Sequence, residues 1–328
     1  MNIAIKVPNN LDEKLLSFPF LHALSRYFDA HLEDLEDEVL NIHIISNKKN
    51  IEVLNLLPFS AYYHALEEDD LKNIFTIHRG VGNLNLQNID YFFSTTKTLV
   101  DALIGKNLKS TKKIGFAGGK SSLLFTDKIE CPGDLHYSQQ VFSLMDSFKD
   151  NKVRIKKVVS RKVDPLVPDW NEVPYSVFNL ELTKDEINPE WIELFDLFEG
   201  QTFYFTCDQA DINTQRSHLI DFIKKLPKKN TYHFTEIEDL VEFSKLVAYA
   251  KAFISCDSDL VGLASYLGAQ CFHISRKKDV SMDNRYFLGD TVVCSLSDPY
   301  YKDGKDFNYG KIFDEILEYL KTNESGAI

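Results

Sequence analysis

The stretch Asn2-Ile3-Ala4-Ile5-Lys6-Val7-Pro8-Asn9-Asn10-Leu11-Asp12-Glu13-Lys14-Leu15-Leu16-Ser17-Phe18-Pro19-Phe20-Leu21-His22-Ala23-Leu24 changes its apolar period partway along, and that change decides the fold. Residues 3–7 form a short run that reads as a strand. Behind it Leu11, Leu15, Phe18, Leu21 and Leu24 recur at three- and four-residue steps, the apolar stripe of one helix. Pro19 inside the pattern kinks that helix or delays its start. His22 falls off the stripe and is expected to face another way.

Working outward, the strand-then-helix alternation continues. Further strands are predicted at 42–45, 91–94 and 113–116, with helices at about 47–56, 96–104 and 138–148. Past residue 163 the texture changes: Pro165, Pro168 and Pro174 surround Asp169, Trp170 and Asn171. Proline fixes φ and withholds a ladder donor, so residues 164–175 read as an extended linker. Beyond it strands are predicted at 176–180, 202–206, 232–234, 252–255, 271–274 and 292–294. Helices are predicted at 190–198, 213–225, 236–249, 259–267 and 309–322. Alternation in both halves implies an α/β protein with two parallel-sheet domains, 1–163 and 176–308. A closing helix within 309–328 is expected to pack back on the first domain. In such sheets ligands bind beyond the carboxyl ends of the strands, where a cleft between the domains would also lie.

Composition narrows the function classes. At 328 residues the chain is about twice a typical single domain. Its 44% hydrophobic and 26% charged residues give the balance of a globular protein with a real core. With 37 Lys+Arg against 49 Asp+Glu the formal charge is −12, and nucleic acid, which needs a basic footprint, is excluded as a partner. The five cysteines contain no C-x-x-C pair, which fits a reduced intracellular compartment and speaks against a zinc site. The opening apolar run is too short for a signal-peptide core, and no stretch reaches the ~18 apolar residues of a membrane span. A cytoplasmic protein is expected, with peripheral attachment to a membrane left open. There is no H-E-x-x-H, G-x-S-x-G or P-loop, so metalloprotease, lipase-type hydrolase and NTPase readings are unsupported. No metal or cofactor is expected. Of nine histidines, only His136 stands out, with a packed or capping role.

Two strand–helix junctions carry chemistry. The first, residues 8–14, lacks the G-x-G-x-x-G that lets a backbone approach a dinucleotide pyrophosphate, which disfavours a nicotinamide enzyme. It offers instead two adjacent carboxylates, Asp12 and Glu13, at a helix N-terminus, a place for a base that must be ionised near neutral pH. The same residues also suit a plain helix start, since Asn10 and Glu13 have capping-box spacing. The second junction is Ala252-Phe253-Ile254-Ser255-Cys256-Asp257-Ser258-Asp259-Leu260-Val261-Gly262-Leu263-Ala264. A buried strand there enters a polar elbow and then a helix, the arrangement that presents backbone amides to phosphate; Asp257 or Ser258 would equally serve as the cap.

Taken in order, several segments resemble glycosyltransferase family nine, the lipopolysaccharide heptosyltransferases and their relatives. The opening strand followed by residues 15–24 is similar to that family's first strand and helix. Lys113-Ile114-Gly115-Phe116, Leu123-Leu124-Phe125-Thr126 and His136 are similar to its mid-domain segment. Residues 246–264, with Asp257-Ser258 and Leu263-Ala264, resemble its signature strand, elbow and helix. The resemblance implies a GT-B fold, two Rossmann-like domains facing a cleft, with a nucleotide-sugar donor held by the second. It also implies inverting transfer of a heptose-like sugar to a lipopolysaccharide-type glycolipid, hence a protein peripheral at the inner membrane. The family's base, an acidic residue after the first strand, matches Glu13 here, with Asp12 where glycine is usual.

The chain also departs from the family. Asp259 and Gly262 stand where the elbow normally has glycine and, a turn later, histidine. A carboxylate there would repel a diphosphate. The basic residue expected shortly before Trp191 is replaced by Asn188-Pro189-Glu190, although Lys184 lies nearby, and Glu181-Leu182-Thr183 replaces a glycine-bearing loop. Donor-side positive charge would then come from Arg276 and Lys277, with Lys278, unless these form only a solvated turn. Two classes of function follow. One is an active transferase with Glu13 or Asp12 as base and Asp257, Ser258, Lys184, Arg276 and Lys277 on the donor. The other is a GT-B scaffold that has lost donor chemistry and serves in binding, assembly or sugar sensing.

Overall fold

The computed structural model describes the chain except residues 33–38, 132, 134, 149–159, 161, 181–188, 208–211, 238, 276–287, 290, 296–300, 303–305, 308 and 323–328. It divides into two units, Met1–Lys162 and Val163–Ile328.

In the first unit β1 (Asn2–Lys6) is flanked on both sides by parallel neighbours, so its residues beyond Asn2 are buried. Those neighbours are β2 (Asn41–Asn47) and β4 (Tyr91–Ser94), with Ile3 opposite both Ile42 and Tyr91. β3 (Tyr62–Leu66) lies outside β2, while β5 (Lys112–Phe116) and then β6 (Asp127–Ile129) lie outside β4. Among the described residues five α-helices accompany the sheet: α1 (Leu11–Leu16), α2 (Phe18–Leu32), α3 (Ile74–Asn83), α4 (Leu99–Asn107) and α5 (Tyr137–Phe142).

The second unit repeats the plan with β7 (Tyr175–Asn179), β8 (Thr202–Thr206), β9 (Thr231–Phe234), β10 (Ala252–Ser255), β11 (Cys271–Ser275) and β12 (Thr291–Ser295). Its order is β9-β8-β7-β10-β11-β12, all parallel. Each sheet therefore has strand order 3-2-1-4-5-6, and each reverses direction of growth beside its first strand, at β1/β4 and at β7/β10. Such reversal points leave a crevice at the carboxyl ends of the strands, where ligands bind. The helices are α6 (Pro189–Asp196), α7 (Ile212–Ile223), α8 (Leu240–Val247), α9 (Ser258–Leu267) and α10 (Tyr309–Thr322). The core is aromatic: Phe178, Phe195, Phe203, Phe205 and Phe222 are all buried, with Phe178 and Phe195 ring centres 5.0 Å apart.

Several expectations are corrected. The opening stripe makes two helices, not one. Ser17 turns the chain between them, its N–H donating to the carbonyls of Glu13 and Lys14, and Pro19 falls at the second residue of α2, where a missing N–H costs no helical bond. His22 is buried, edge-on to Phe59 at 6.0 Å, because α2 is enclosed on nearly every side. The helix expected over 47–56 is a 3₁₀ turn, Ile51–Leu56. Residues 164–175 are docked on the second unit: Leu166 N–H donates to Lys245 O, Tyr249 hydroxyl to Val163 O, and the Trp170 ring lies 4.4 Å from that of Tyr249. The closing helix set down for the first domain places Ile312, Phe313, Ile316 and Leu320 in the second unit's core. Among the described residues, no helix is long and apolar enough to cross a membrane.

Candidate active site

β1 ends in Lys6, and residues 7–10 carry the chain over the sheet edge into α1. Asn10 begins that helix with extended backbone (φ −72, ψ 147), but its side chain makes no capping bond. The capping box is thus not formed. Asp12 Oδ1 accepts the Glu13 N–H at 2.7 Å instead, and the Glu13 carboxylate is left to line a cavity of about 540 Å³. On the other side of Glu13, Lys14 is fully buried and donates to the carbonyls of Lys49 and Asn50, both at 3.1 Å. Burial pushes the Lys14 ammonium down to about 8, with Lys6 adding to the fall and Glu52 opposing it.

The cavity opens at the β1/β4 reversal point. Asn9, Asn10 and Glu13 line it from the β1 side, and Thr95, Thr96, Lys97, Thr98 and Asp101 from the β4 side. Thr98 caps α4, its hydroxyl accepting the Asp101 N–H at 3.2 Å. The Asp101 carboxylate accepts the Thr96 hydroxyl and lies 3.7 Å from Lys6 Nζ. Lys97 Nζ sits 5.8 Å from the centre of the Phe116 ring, also in the lining. From α5 and the segment before it come Tyr137, Gln140 and Cys131, whose thiol donates to Gln140 Oε1 at 3.3 Å. His136 is the cap of α5, accepting the Ser138 N–H, as its capping reading anticipated.

Electrostatics sort these groups into roles. Burial, then the charges of Asp12 and Asp101, hold the Glu13 proton affinity above the usual carboxylate range. Burial pushes the Tyr137 phenol up as well, helped by Glu13, Asp12, Asp101 and Cys131, so it stays protonated and keeps an O–H able to donate. The cavity therefore offers a carboxylate of raised proton affinity, a phenol that stays protonated, and amides and hydroxyls fit for a polyol. Asp101, Lys6, Tyr137 and Lys97 were missed by sequence reasoning. Lys6 alone carried a signal, a cation within an apolar strand, which demands a buried carboxylate.

The second elbow lies at the other reversal point. Ser255 Oγ donates to Asn179 Oδ1 at 3.0 Å and accepts the Asp257 N–H at 2.9 Å, which ties the ends of β10 and β7 together. Asp257 is the cap of α9: its Oδ1 accepts from the N–H groups of Asp259 (2.8 Å) and Leu260 (3.2 Å). Ser258, the first residue of α9, is exposed. Lys184, Arg276 and Lys277 lie outside the described residues. Glu13 and Asp12 thus belong to the first unit's site, Asp257 and Ser258 to the second's.

No family model matches the sequence, and no curated protein does. Among solved structures, E. coli heptosyltransferase WaaC with ADP-2-deoxy-2-fluoro heptose is similar over 98% of this chain and 100% of its own, at 14% identity and TM-score 0.69. A glycosyl transferase family 9 protein from Veillonella parvula is similar over 98% of this chain and 97% of its own, at 11% identity and TM-score 0.73. The UDP-GlcNAc 2-epimerase of Neisseria meningitidis bound to UDP-GlcNAc is similar over 100% and 94%, at 12% identity and TM-score 0.54. These likenesses establish the fold, the GT-B architecture built from two Rossmann-like units.

Proposed function

We propose that the chain is an inverting glycosyltransferase that moves a heptose-like sugar from a nucleotide-sugar donor to a hydroxyl of a lipopolysaccharide-type glycolipid. The observation that carries this reading is Glu13, a half-buried carboxylate of raised proton affinity lining a cavity at the first unit's reversal point. The fold is one in which neighbours are seen with ADP and with an ADP-heptose analogue, which supports a nucleotide-sugar donor. In the proposed step Glu13 takes the proton of the acceptor hydroxyl as its oxygen bonds to the anomeric carbon, and the nucleoside diphosphate leaves from the opposite face. Tyr137 and the amides and hydroxyls around it orient the acceptor. The second unit takes the donor, through Asp257, Ser258, Lys184, Arg276 and Lys277. A lipid-borne acceptor would draw the protein to the inner membrane surface.

Glu13→Gln is expected to lower turnover by about 10²-fold or more while donor affinity, measured by calorimetry, changes less than about twofold. Loss of both would reduce Glu13 to a structural part of α1.

One observation favours a second reading, a scaffold for binding, assembly or sugar sensing without transfer. The amides at the start of α9 are already engaged by Asp257, and Asp259 adds a carboxylate in the same turn. Thermal shift and turnover separate them: stabilisation by an ADP- or UDP-sugar with transfer supports the transferase, stabilisation without transfer supports sugar sensing, and no shift at millimolar concentration supports the binding or assembly scaffold.

A further inference from the structure

Beneath the first site lies a charged pair to which the proposed reaction assigns nothing. Lys6 is fully buried at the end of β1, and Asp101, in the first turn of α4, is 4% exposed. Lys6 Nζ donates to Val7 O and, at 2.9 Å, to Asn9 Oδ1, both on the loop leading to Glu13. It also lies 3.7 Å from Asp101 Oδ1. From the β4 side the Thr95 hydroxyl donates to Lys6 O at 2.9 Å. We propose that Lys6 and Asp101 are positioning residues for Glu13, a buried clamp that fixes the loop of residues 7–10 against the first turn of α4.

Two physical arguments support the clamp. A buried ion pair seldom stabilises a fold better than apolar residues of the same size, so its presence here calls for a role other than stability. And α1 has six residues and no side-chain cap, too little to hold itself in place, so Glu13 depends on anchors outside its own helix. The clamp has an electrostatic consequence as well. The charged and titratable groups around Glu13 among the described residues are Asp12 on α1, Asp101 and Lys97 from the β4 side, Cys131 and Tyr137 from the α5 side, and Lys6 below. Asp12 and then Asp101 raise the Glu13 proton affinity, and Lys6 Nζ lies 3.7 Å from Asp101 Oδ1.

This inference rests on Glu13 being the proton acceptor, and the test separates the two. The titration of the Glu13 carboxylate is followed by carbon-13 NMR in the wild type, in Asp101→Asn and in Lys6→Met/Asp101→Leu, which replaces the pair by apolar groups of similar size. The Glu13 midpoint should fall in Asp101→Asn, which removes a nearby negative charge and keeps Lys6, and should move less in the double variant, which removes both charges of the pair. Where the wild type turns over, kcat should drop about tenfold or more with the donor KM unchanged. An unmoved midpoint in Asp101→Asn, or an unmoved kcat in either folded variant, would make the pair core packing and overturn the clamp. Asp101→Asn keeps the volume of the side chain and stays readable if the double variant does not fold. The titration needs no substrate, so a wild type inactive on every nucleotide sugar would overturn the transferase reading and leave the clamp to be judged by the midpoint.

Discussion

Lys14 shows how much one side chain governs the first site. Its buried ammonium holds α1 to the carbonyls that follow β2, next to Glu13 in sequence. Because its proton affinity falls from 10.5 to about 8 on folding, the unfolded chain binds the proton more readily between those values. Stability is then full above about pH 10.5 and is lost as pH falls towards 8, a change of about 3 kcal/mol at 1.36 kcal/mol per unit. Urea unfolding at pH 7.5 and 10.5 should show this rise in the wild type, and Lys14→Met should reduce it, the remainder coming in part from Lys6, whose proton affinity burial also lowers. At this scale the sequence singled out Glu13, which lines the cavity, but not its neighbours there. Adjacent carboxylates at a helix start are visible in one dimension, whereas Asp101, Tyr137 and Lys97 reach the cavity only through sheet order and were unremarkable in their own segments.

At the scale of elements, the strands that lie inside the sheets were legible and those at the edges of the first were not. β4, β8 and β10 fall where the apolar runs placed them, since a strand paired on both sides must be apolar along its length. β3 and β6 are edge strands of the first sheet, each with exposed residues along it, and Tyr62-Tyr63-His64 or Asp127-Lys128 carry no such run. α3 was hidden by Gly80 and Gly82 and by exposed Ile74 and Phe75 at its start. The α9 elbow was read as either phosphate cradle or cap, and the structure forms the cap. Replacing Asp259 by glycine removes a carboxylate from the first turn while leaving the Asp257 cap on Leu260 in place. Asp259→Gly should therefore tighten nucleotide binding several-fold by calorimetry, and unchanged affinity would remove charge repulsion at this elbow from the account.

Taken whole, the chain repeats one strand order in two units, each with its own reversal point and core. On the proposed reading the two have separate tasks, and hydrogen exchange can tell them apart. Added ADP should slow exchange at the amides of residues 256–260 and leave those of β1 unchanged; protection confined to the first unit would reverse the assignment of donor and acceptor. Among the described residues no strand crosses from one sheet to the other, and the boundary between Lys162 and Val163 interrupts no ladder. Recombination at that seam leaves both described sheets whole, so on the proposed reading descendants of such a gene can trade one half for a relative's and alter what is handed over without redesigning what receives it.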